Sequence, residues 1–344
     1  YERTVSSTAS VSYTFSDDES KILLQKESEP IYRHSFLGKF DVKDLKSGKI
    51  ISLNNGNFVQ EPKFSPDATK VAFVVDNNLY YQDLASGKIT QITTDGKKNS
   101  IINGIGDWVY EEEFGHADFY QWSKGSDALI FVKSDESKVP EINIPIYGKN
   151  LYPKLMTYKY PKAGEVNSTV SAHLYQLSSG KTLDLNLGSF ENYYIPQVYS
   201  TAKNDEVALA TSNRHQNKVD ILKVNTSNGA VSKLISETDN AWIETDGMTL
   251  EFLDDNSFLW ASERSGFRHL YWFDAKGNLK KPVTKGNWEI TDYYGFNPKT
   301  KEVFIQTTEK GSLNKVVSKV NISNGKMTLL SQAEGNNRAD FSKN

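Results

Sequence analysis

The sequence has 344 residues, more than twice the ~150 residues of a typical domain, which predicts two domains or one large repetitive domain. Its 40 Lys and Arg against 43 Asp and Glu give a net charge of −3, which argues against nucleic-acid binding, and no stretch of ~18 apolar residues could span a membrane. Cysteine is absent, which excludes disulfides, thiolate metal sites and a cysteine nucleophile, while five scattered histidines argue against a histidine metal site.

The first seven residues contain no basic segment followed by an apolar one, so we expect no export signal in this chain. Because no Met stands first, we expect a mature or trimmed fragment. A chain without cysteine suits a bacterial periplasmic or cell-surface protein, although the same composition is compatible with the cytoplasm.

One pattern recurs along the chain: an aromatic residue and a polar turn, followed by an apolar strand. The first copies are Phe15-Ser16-Asp17-Asp18 and Phe64-Ser65-Pro66-Asp67, and later copies begin at Trp122, Tyr199, Phe252 and Phe296. A seventh copy begins at residues 341–343. Each full copy ends in a second hairpin with a glycine in its turn, at Gly48, Gly87, Gly180, Gly229, Gly277 and Gly325.

From Gly180 onward these turn glycines recur about every 48 residues, which is the length of a four-stranded propeller blade. No long amphipathic helix is indicated. A solenoid is an alternative, but antiparallel hairpins favour radial blades. We therefore predict an all-β fold, with residues 1–344 forming a β-propeller fragment of six blades and the start of another, cut from a larger propeller.

Residues 30–35 read Pro-Ile-Tyr-Arg-His-Ser and follow a predicted strand of the first blade. The planar guanidinium of Arg33 can donate to a ligand carbonyl or carboxylate. It can equally form a structural ion pair or a hydrogen-bonded plug inside the propeller.

Residues 107–114 read Asp-Trp-Val-Tyr-Glu-Glu-Glu-Phe, which puts three carboxylates in succession at Glu111, Glu112 and Glu113. Such a run is often a solvated acidic turn. Two neighbouring carboxylates held in a cleft can instead share an ammonium group. Calcium is a further possibility, but the segment lacks the ligand spacing of a calcium loop.

The interval between Gly87 and Gly180 is roughly twice the repeat length. The excess contains residues 107–114 and an insertion at about residues 135–166. Loops on a rigid scaffold often carry function, so we expect the functional site in this blade. The chain lacks Gly-x-Ser-x-Gly, His-Glu-x-x-His, phosphate-loop and dinucleotide-binding motifs, and therefore we expect no nucleophile, metal or cofactor here.

Five segments resemble, in order, segments of the dipeptidyl peptidase IV family of serine exopeptidases: residues 30–35, 104–113, 160–164, 265–271 and 284–289. The runs Trp-Val-Tyr-Glu-Glu-Glu and Tyr-Pro-Lys-Ala-Gly are the most specific of them. The resemblance extends from about residue 11 to the end of the chain.

This resemblance implies an eight-bladed parent propeller joined to a C-terminal α/β-hydrolase domain with a Ser-Asp-His triad, which is absent here. It implies release of N-terminal dipeptides with Pro or Ala second. By position, Glu112 and Glu113 would bind the substrate's N-terminal ammonium, Arg33 would bind a substrate carbonyl, and Glu111 would have a supporting role. Residues 135–166 would be an arm that reaches a second subunit. Residues 242–246 depart from the family pattern, so no site is transferred there.

The expected partners are peptides with a free N-terminus, the chain's own hydrolase domain and a second copy in a homodimer. A non-enzymatic propeller that binds a protein partner is the alternative. A parent whose triad has degraded is a third possibility. A Gly-x-Ser-x-Gly motif followed by Asp and His, beyond residue 344, would favour the peptidase.

Overall fold

The computed structural model describes residues 12–188, 194–245 and 249–342. Within these ranges β-strands dominate, and helix is limited to α1 (Trp108–Glu113) and a short 3-10 helix (Leu53–Gly56). The chain divides into two compact units, one formed by Tyr1–Arg214 with Leu222–Ser232 and the other by His215–Ile221 with Lys233–Asn344. The α-helix and the predicted site residues belong to the first unit.

Two four-stranded antiparallel sheets come first, each with its strands ordered as in the chain. The first sheet contains β1 (Ser12–Phe15), β2 (Lys21–Pro30), β3 (Phe36–Asp44) and β4 (Ile50–Ser52). The second contains β5 (Gln60–Phe64), β6 (Lys70–Val75), β7 (Asn78–Asp83) and β8 (Ile89–Gln91).

The third sheet differs because a hairpin is inserted into it. Its strands are β9 (Ile101–Asn103), β10 (Tyr120–Trp122), β11 (Ala128–Asp135), β14 (Thr169–Gln176) and β15 (Lys181–Asp184). Their order is β10–β11–β14–β15, and β9 also pairs with β11. Between β11 and β14 the chain forms a separate two-stranded sheet, the arm hairpin, made of β12 (Glu141–Ile146) and β13 (Lys154–Lys159).

Three more four-stranded sheets follow, again in chain order. Their strands are β16 (Tyr194–Ser200), β17 (Glu206–Ser212), β18 (Lys218–Asn225) and β19 (Val231–Thr238), then β20 (Leu250–Phe252), β21 (Phe258–Ser262), β22 (His269–Phe273) and β23 (Leu279–Pro282), then β24 (Ile290–Asn297), β25 (Glu302–Thr307), β26 (Val316–Asn321) and β27 (Met327–Leu329). The prediction of an all-β fold built from repeated four-stranded antiparallel sheets is confirmed.

The seventh copy of the repeat, predicted to begin at Phe341, is not in a strand at Phe341 or Ser342, and Lys343 lies outside the described residues. The Phe341 ring instead packs against Phe304, with ring centroids 4.5 Å apart, and against Tyr294.

The polar turns of the repeat owe their shape to side-chain hydrogen bonds. Ser16 Oγ donates to Asp18 Oδ1 at 2.7 Å, and Ser65 Oγ donates in the same way to Asp67 Oδ1 at 2.5 Å. Such bonds offer the backbone a closed turn in place of a longer strand. The six hairpin glycines have φ between 63° and 86°, a region that a side chain at these positions would disfavour.

Helix α1 packs on the hydrophobic core of the first unit. Tyr110 and Phe114, both buried, lie on the inner face of the helix segment and pack with Phe119 and Tyr194. The Tyr110 ring centroid is 5.0 Å from that of Phe114 and 5.1 Å from that of Phe119. In the described ranges no helix is long and apolar enough to cross a bilayer.

Candidate functional site

The three glutamates lie on a helix, and local sequence explains why. Asp107 caps its N-terminus, because Asp107 Oδ1 accepts a hydrogen bond from the Tyr110 amide at 2.9 Å. Asp107 Oδ2 also accepts from Ser168 Oγ, a contact that ties the helix to the segment preceding β14. The helix ends at Phe114, and Gly115 follows with a φ of 75°.

Packing of Tyr110 fixes the direction in which each glutamate side chain points. Glu111 follows directly and is 1% exposed. Glu112 is half-buried and Glu113 is exposed. Within the described residues the Glu113 side chain has no hydrogen bond or ion pair. The segment is therefore a helical turn with one buried, one intermediate and one free carboxylate, rather than a uniformly solvated acidic turn.

Glu111 holds the loop that carries Arg33. Its Oε1 atom accepts hydrogen bonds from the backbone amides of His34 at 2.5 Å and Ser35 at 2.8 Å. Bonds from two amides to an ionised carboxylate are charge-assisted and stronger than neutral ones. Glu111 thus fixes residues 31–35, which connect β2 to β3, against α1.

Glu112 forms an ion pair with the Arg33 side chain from the same loop. Arg33 Nε donates to Glu112 Oε2 at 2.9 Å and to Oε1 at 3.2 Å. The Arg33 side chain remains 69% exposed, so it is not a plug in the interior. An exposed pair of this kind stabilises a fold by at most about 1 kcal/mol. What it does is orient the guanidinium, whose terminal nitrogens have no partner among the described residues.

Four aromatic rings surround this arrangement, two of them from the arm hairpin and the residues after it. Tyr158, on β13, lies with its ring centroid 5.6 Å from that of Tyr32 and 6.3 Å from that of Trp108. The Tyr160 ring lies 4.4 Å from Trp108. Tyr32 precedes Arg33 and Trp108 begins α1, so these rings contact both segments of the site.

Two further carboxyl groups are buried beside the helix. Glu136, which follows β11, and Asp107 are both 5% exposed. Burial, together with the nearby Asp107 charge, raises the pKa of Glu136 to about 7. Burial also raises the pKa of Asp107. No group of three or more His, Cys, Asp or Glu side chains in the described ranges is arranged to hold a metal ion.

The raised pKa of Glu136 predicts a pH-dependent stability. Between its ordinary pKa of 4.5 and about 7, the folded chain binds a proton that the unfolded chain has lost. The stability that this bound proton gives to the fold is fully present below pH 4.5 and is lost as pH rises through 7. We expect Glu136→Gln to raise the free energy of unfolding at pH 8 by on the order of 2 kcal/mol and to change it little at pH 4.5.

Urea titrations of the chain at both pH values would measure this effect. Glu334→Gln, at an exposed position, is the matched control and should change neither value. Equal stability of Glu136→Gln and wild type at pH 8 would contradict a buried Glu136 of raised pKa.

The structure brings together Arg33, Glu111 and Glu112, with Glu113 beside them, and their role in binding stays a prediction. Tyr32, Trp108, Tyr158, Tyr160 and Glu136 were not predicted. Two of these residues lie in sequence motifs that indicate them: Tyr160 begins the motif 160–164, and Trp108 lies in the segment 107–114 that contains the acidic run.

In the second unit, Trp242 and Glu244 line a small cavity with Glu237 and Arg264, while Asp246 lies outside the described residues.

The family model described as the dipeptidyl peptidase IV (DPP IV) N-terminal region matches residues 16–344. The chain belongs to this family. The predicted membership is confirmed, and the runs 30–35 and 104–113, which resemble family segments, are the ones that meet at α1.

Solved and curated relatives agree with this membership. The crystal structure of Porphyromonas gingivalis dipeptidyl peptidase 4 is 37% identical with a TM-score of 0.92, over 99% of this chain and 48% of that one. Inactive dipeptidyl peptidase 10 of Rattus norvegicus is 28% identical over 86% of this chain and 40% of the relative. Probable dipeptidyl peptidase 4 of Aspergillus fumigatus is 28% identical over 93% and 44%. This DPP IV N-terminal region therefore spans less than half the length of these relatives.

Proposed function

We propose that this DPP IV N-terminal region is the substrate-recognition part of a serine-type dipeptidyl peptidase that releases N-terminal dipeptides. The observation that carries the proposal is the Arg33–Glu112 pair beside the exposed Glu113 carboxylate, which has no hydrogen bond or ion pair among the described residues. Glu112 and Glu113 would bind the substrate's ammonium group. Arg33 would donate from its terminal nitrogens to the carbonyl of the first dipeptide unit.

The charges of the site are suited to one ammonium group. Glu111 is satisfied by two amides and Glu112 is paired with Arg33, which leaves Glu113 as the carboxylate without a partner in the described residues. A free N-terminus supplies the missing positive charge, and its three N–H groups can reach both carboxylates. A peptide anchored in this way would present its second peptide bond to a nucleophile at a fixed distance.

The nucleophile would come from a C-terminal hydrolase domain of the parent, with a Ser-Asp-His triad. The relatives named dipeptidyl peptidase 4 support such a parent, because the chain matches less than half of their length. We further propose that the parent is a homodimer in which the arm hairpin contributes, and that it works in the periplasm or at the surface of a bacterium.

A direct assay tests the proposed activity. We expect the full-length parent to cleave Gly-Pro-p-nitroanilide and a serine-directed inhibitor to block the cleavage. The fragment 1–344 should be inactive, since it lacks a Gly-x-Ser-x-Gly motif. Inhibitor-sensitive cleavage by the fragment alone, or an inactive parent with an intact triad, would contradict the proposal.

A second candidate is a parent that binds peptides or protein partners without cleaving them. One observation favours it: the relatives include a protein named inactive dipeptidyl peptidase 10. The parent's coding sequence beyond residue 344 discriminates the two, because the peptidase requires Ser, Asp and His in that order and the binding module does not.

A further inference from the structure

The loop that presents Arg33 has little packing behind it. A cavity of about 480 Å³ lies beside the loop and is lined by Tyr32, Ser35 and Trp108, among others. Ser35 Oγ, in a residue that is 8% exposed, has no hydrogen-bond partner within the part of the chain that the structure describes. The cavity opens to solvent, so no packed side chains oppose movement of the loop on that side.

On its other sides the loop has three identifiable restraints. Glu111 binds the amides of His34 and Ser35, and Glu112 binds the Arg33 side chain. The third restraint is the Tyr158 ring against Tyr32, at a centroid separation of 5.6 Å. Glu111 and Glu112 act from α1, whereas Tyr158 acts from the arm hairpin, which is an independent element of the fold.

The same hairpin also reaches the helix. Trp108 is contacted by Tyr158 and by Tyr160, the latter at a centroid separation of 4.4 Å. Tyr158 is 8% exposed, so its ring is enclosed between the two segments of the site. Lys159, between these tyrosines, fixes the hairpin base by donating to the Val139 carbonyl at 2.8 Å. The base of the arm hairpin therefore packs on both segments that carry the proposed binding residues.

We propose that Tyr158 and Tyr160 are positioning residues that hold the Arg33 loop and α1 at the separation needed for ammonium binding. The proposal rests on the function proposed above. In this positioning role neither tyrosine contacts the substrate. Without the Tyr158 ring, Tyr32 can shift toward the cavity and draw Arg33 away from Glu112. Binding sites lose affinity steeply when their groups move by about 1 Å, so the effect falls on substrate affinity.

The test compares Tyr158→Ala with Tyr158→Phe in the full-length parent. For Gly-Pro-p-nitroanilide we expect Tyr158→Ala to raise KM about tenfold while kcat changes by less than about twofold, and Tyr158→Phe to behave as wild type, because it retains the ring. Tyr13→Ala, on β1 and 63% exposed, is the matched control because it removes a tyrosine ring outside both the site and the hairpin, and it should leave KM unchanged.

A second measurement does not depend on activity. Hydrogen exchange of the His34 and Ser35 amides in the full-length parent should be faster in Tyr158→Ala by about tenfold, and unchanged in Tyr13→Ala. If wild type cleaves no reporter, the proposed function fails, and exchange still tests the positioning role. Unchanged exchange at both amides in Tyr158→Ala overturns that role, and so does an unchanged KM in an active enzyme. Tyr158→Leu, which keeps apolar bulk without the ring, replaces Tyr158→Ala if the latter does not fold, and the same outcomes decide.

Discussion

Replacing Glu113 by Gln in the full-length parent should lower kcat/KM for Gly-Pro-p-nitroanilide about 10²-fold or more. Glu113 is exposed in this chain, and its pair with the substrate ammonium would be desolvated only in the substrate complex of the parent. Losing one member of such a desolvated pair costs roughly 3–5 kcal/mol, and each ~1.4 kcal/mol is tenfold in rate. Glutamine has nearly the same size but no charge. Because the Glu113 side chain is exposed and makes no hydrogen bond or ion pair in the described ranges, the melting temperature should remain near that of wild type.

The N-terminus of the substrate provides the complementary control. N-acetylated Gly-Pro-p-nitroanilide carries no ammonium charge, so wild type should cleave it as poorly as Glu113→Gln cleaves the free substrate. Glu334→Gln, at an exposed position outside the site, should leave kcat/KM unchanged. If Glu113→Gln retains the wild-type rate, or wild type cleaves the acetylated reporter equally well, Glu113 is only part of an acidic surface.

Replacing the apolar tip of the arm hairpin should dissociate the parent into monomers. Tyr147, Leu151 and Tyr152 are 80%, 90% and 80% exposed. The hairpin forms a sheet of only two strands, and its base packs on the site while its tip does not, so the tip has the marginal stability that such a sheet has in water. Large exposed apolar side chains on such an element are typical of an interface. We expect changing all three to Ser to weaken self-association about 10²-fold or more.

Sedimentation velocity over a range of concentrations measures this association. Leu313→Ser is the control, because Leu313 is 91% exposed but lies in the other unit, and it should leave the oligomer intact. An unchanged oligomer in the triple variant would show that the tip does not contribute. Limiting the change to the tip leaves Tyr158 and Tyr160 in place, so a loss of association can be separated from a disturbance of the site.

The sheets could be predicted from the sequence because the signals that form them are local. The hydrogen bond that closes the turn at Ser65 joins it to Asp67, two residues away. The positive φ of a hairpin glycine such as Gly87 depends on that single residue. The insertion was visible as a break in the repeat. The repeat does not indicate where the two strands of the arm hairpin begin and end, because β11 and β14 pair with each other across the inserted residues.

The site could be predicted only in part. Arg33 and Glu112 were named from family resemblance, but their pairing joins residues 79 positions apart and follows from tertiary structure. The helical conformation of the acidic run depends on the Asp107 cap and on burial of Tyr110, and only the first is a local signal. Glu136 is an ordinary glutamate in the sequence. Its raised pKa arises from burial, which no single-residue pattern encodes.

The strand order also determines when each part of the protein can form during synthesis. Of the six sheets with four or more strands in the described residues, five use strands that follow one another in the chain, so each can close soon after its own residues leave the ribosome. In the third sheet β11 has to wait for β14, which is separated from it by the arm hairpin. At roughly 5–20 residues per second, that edge of β11 stays unpaired for several seconds. Among the described sheets, this edge of β11 is thus open to wrong pairing for longest, and the Ser168–Asp107 contact that ties α1 in place can form only after the arm hairpin has been made.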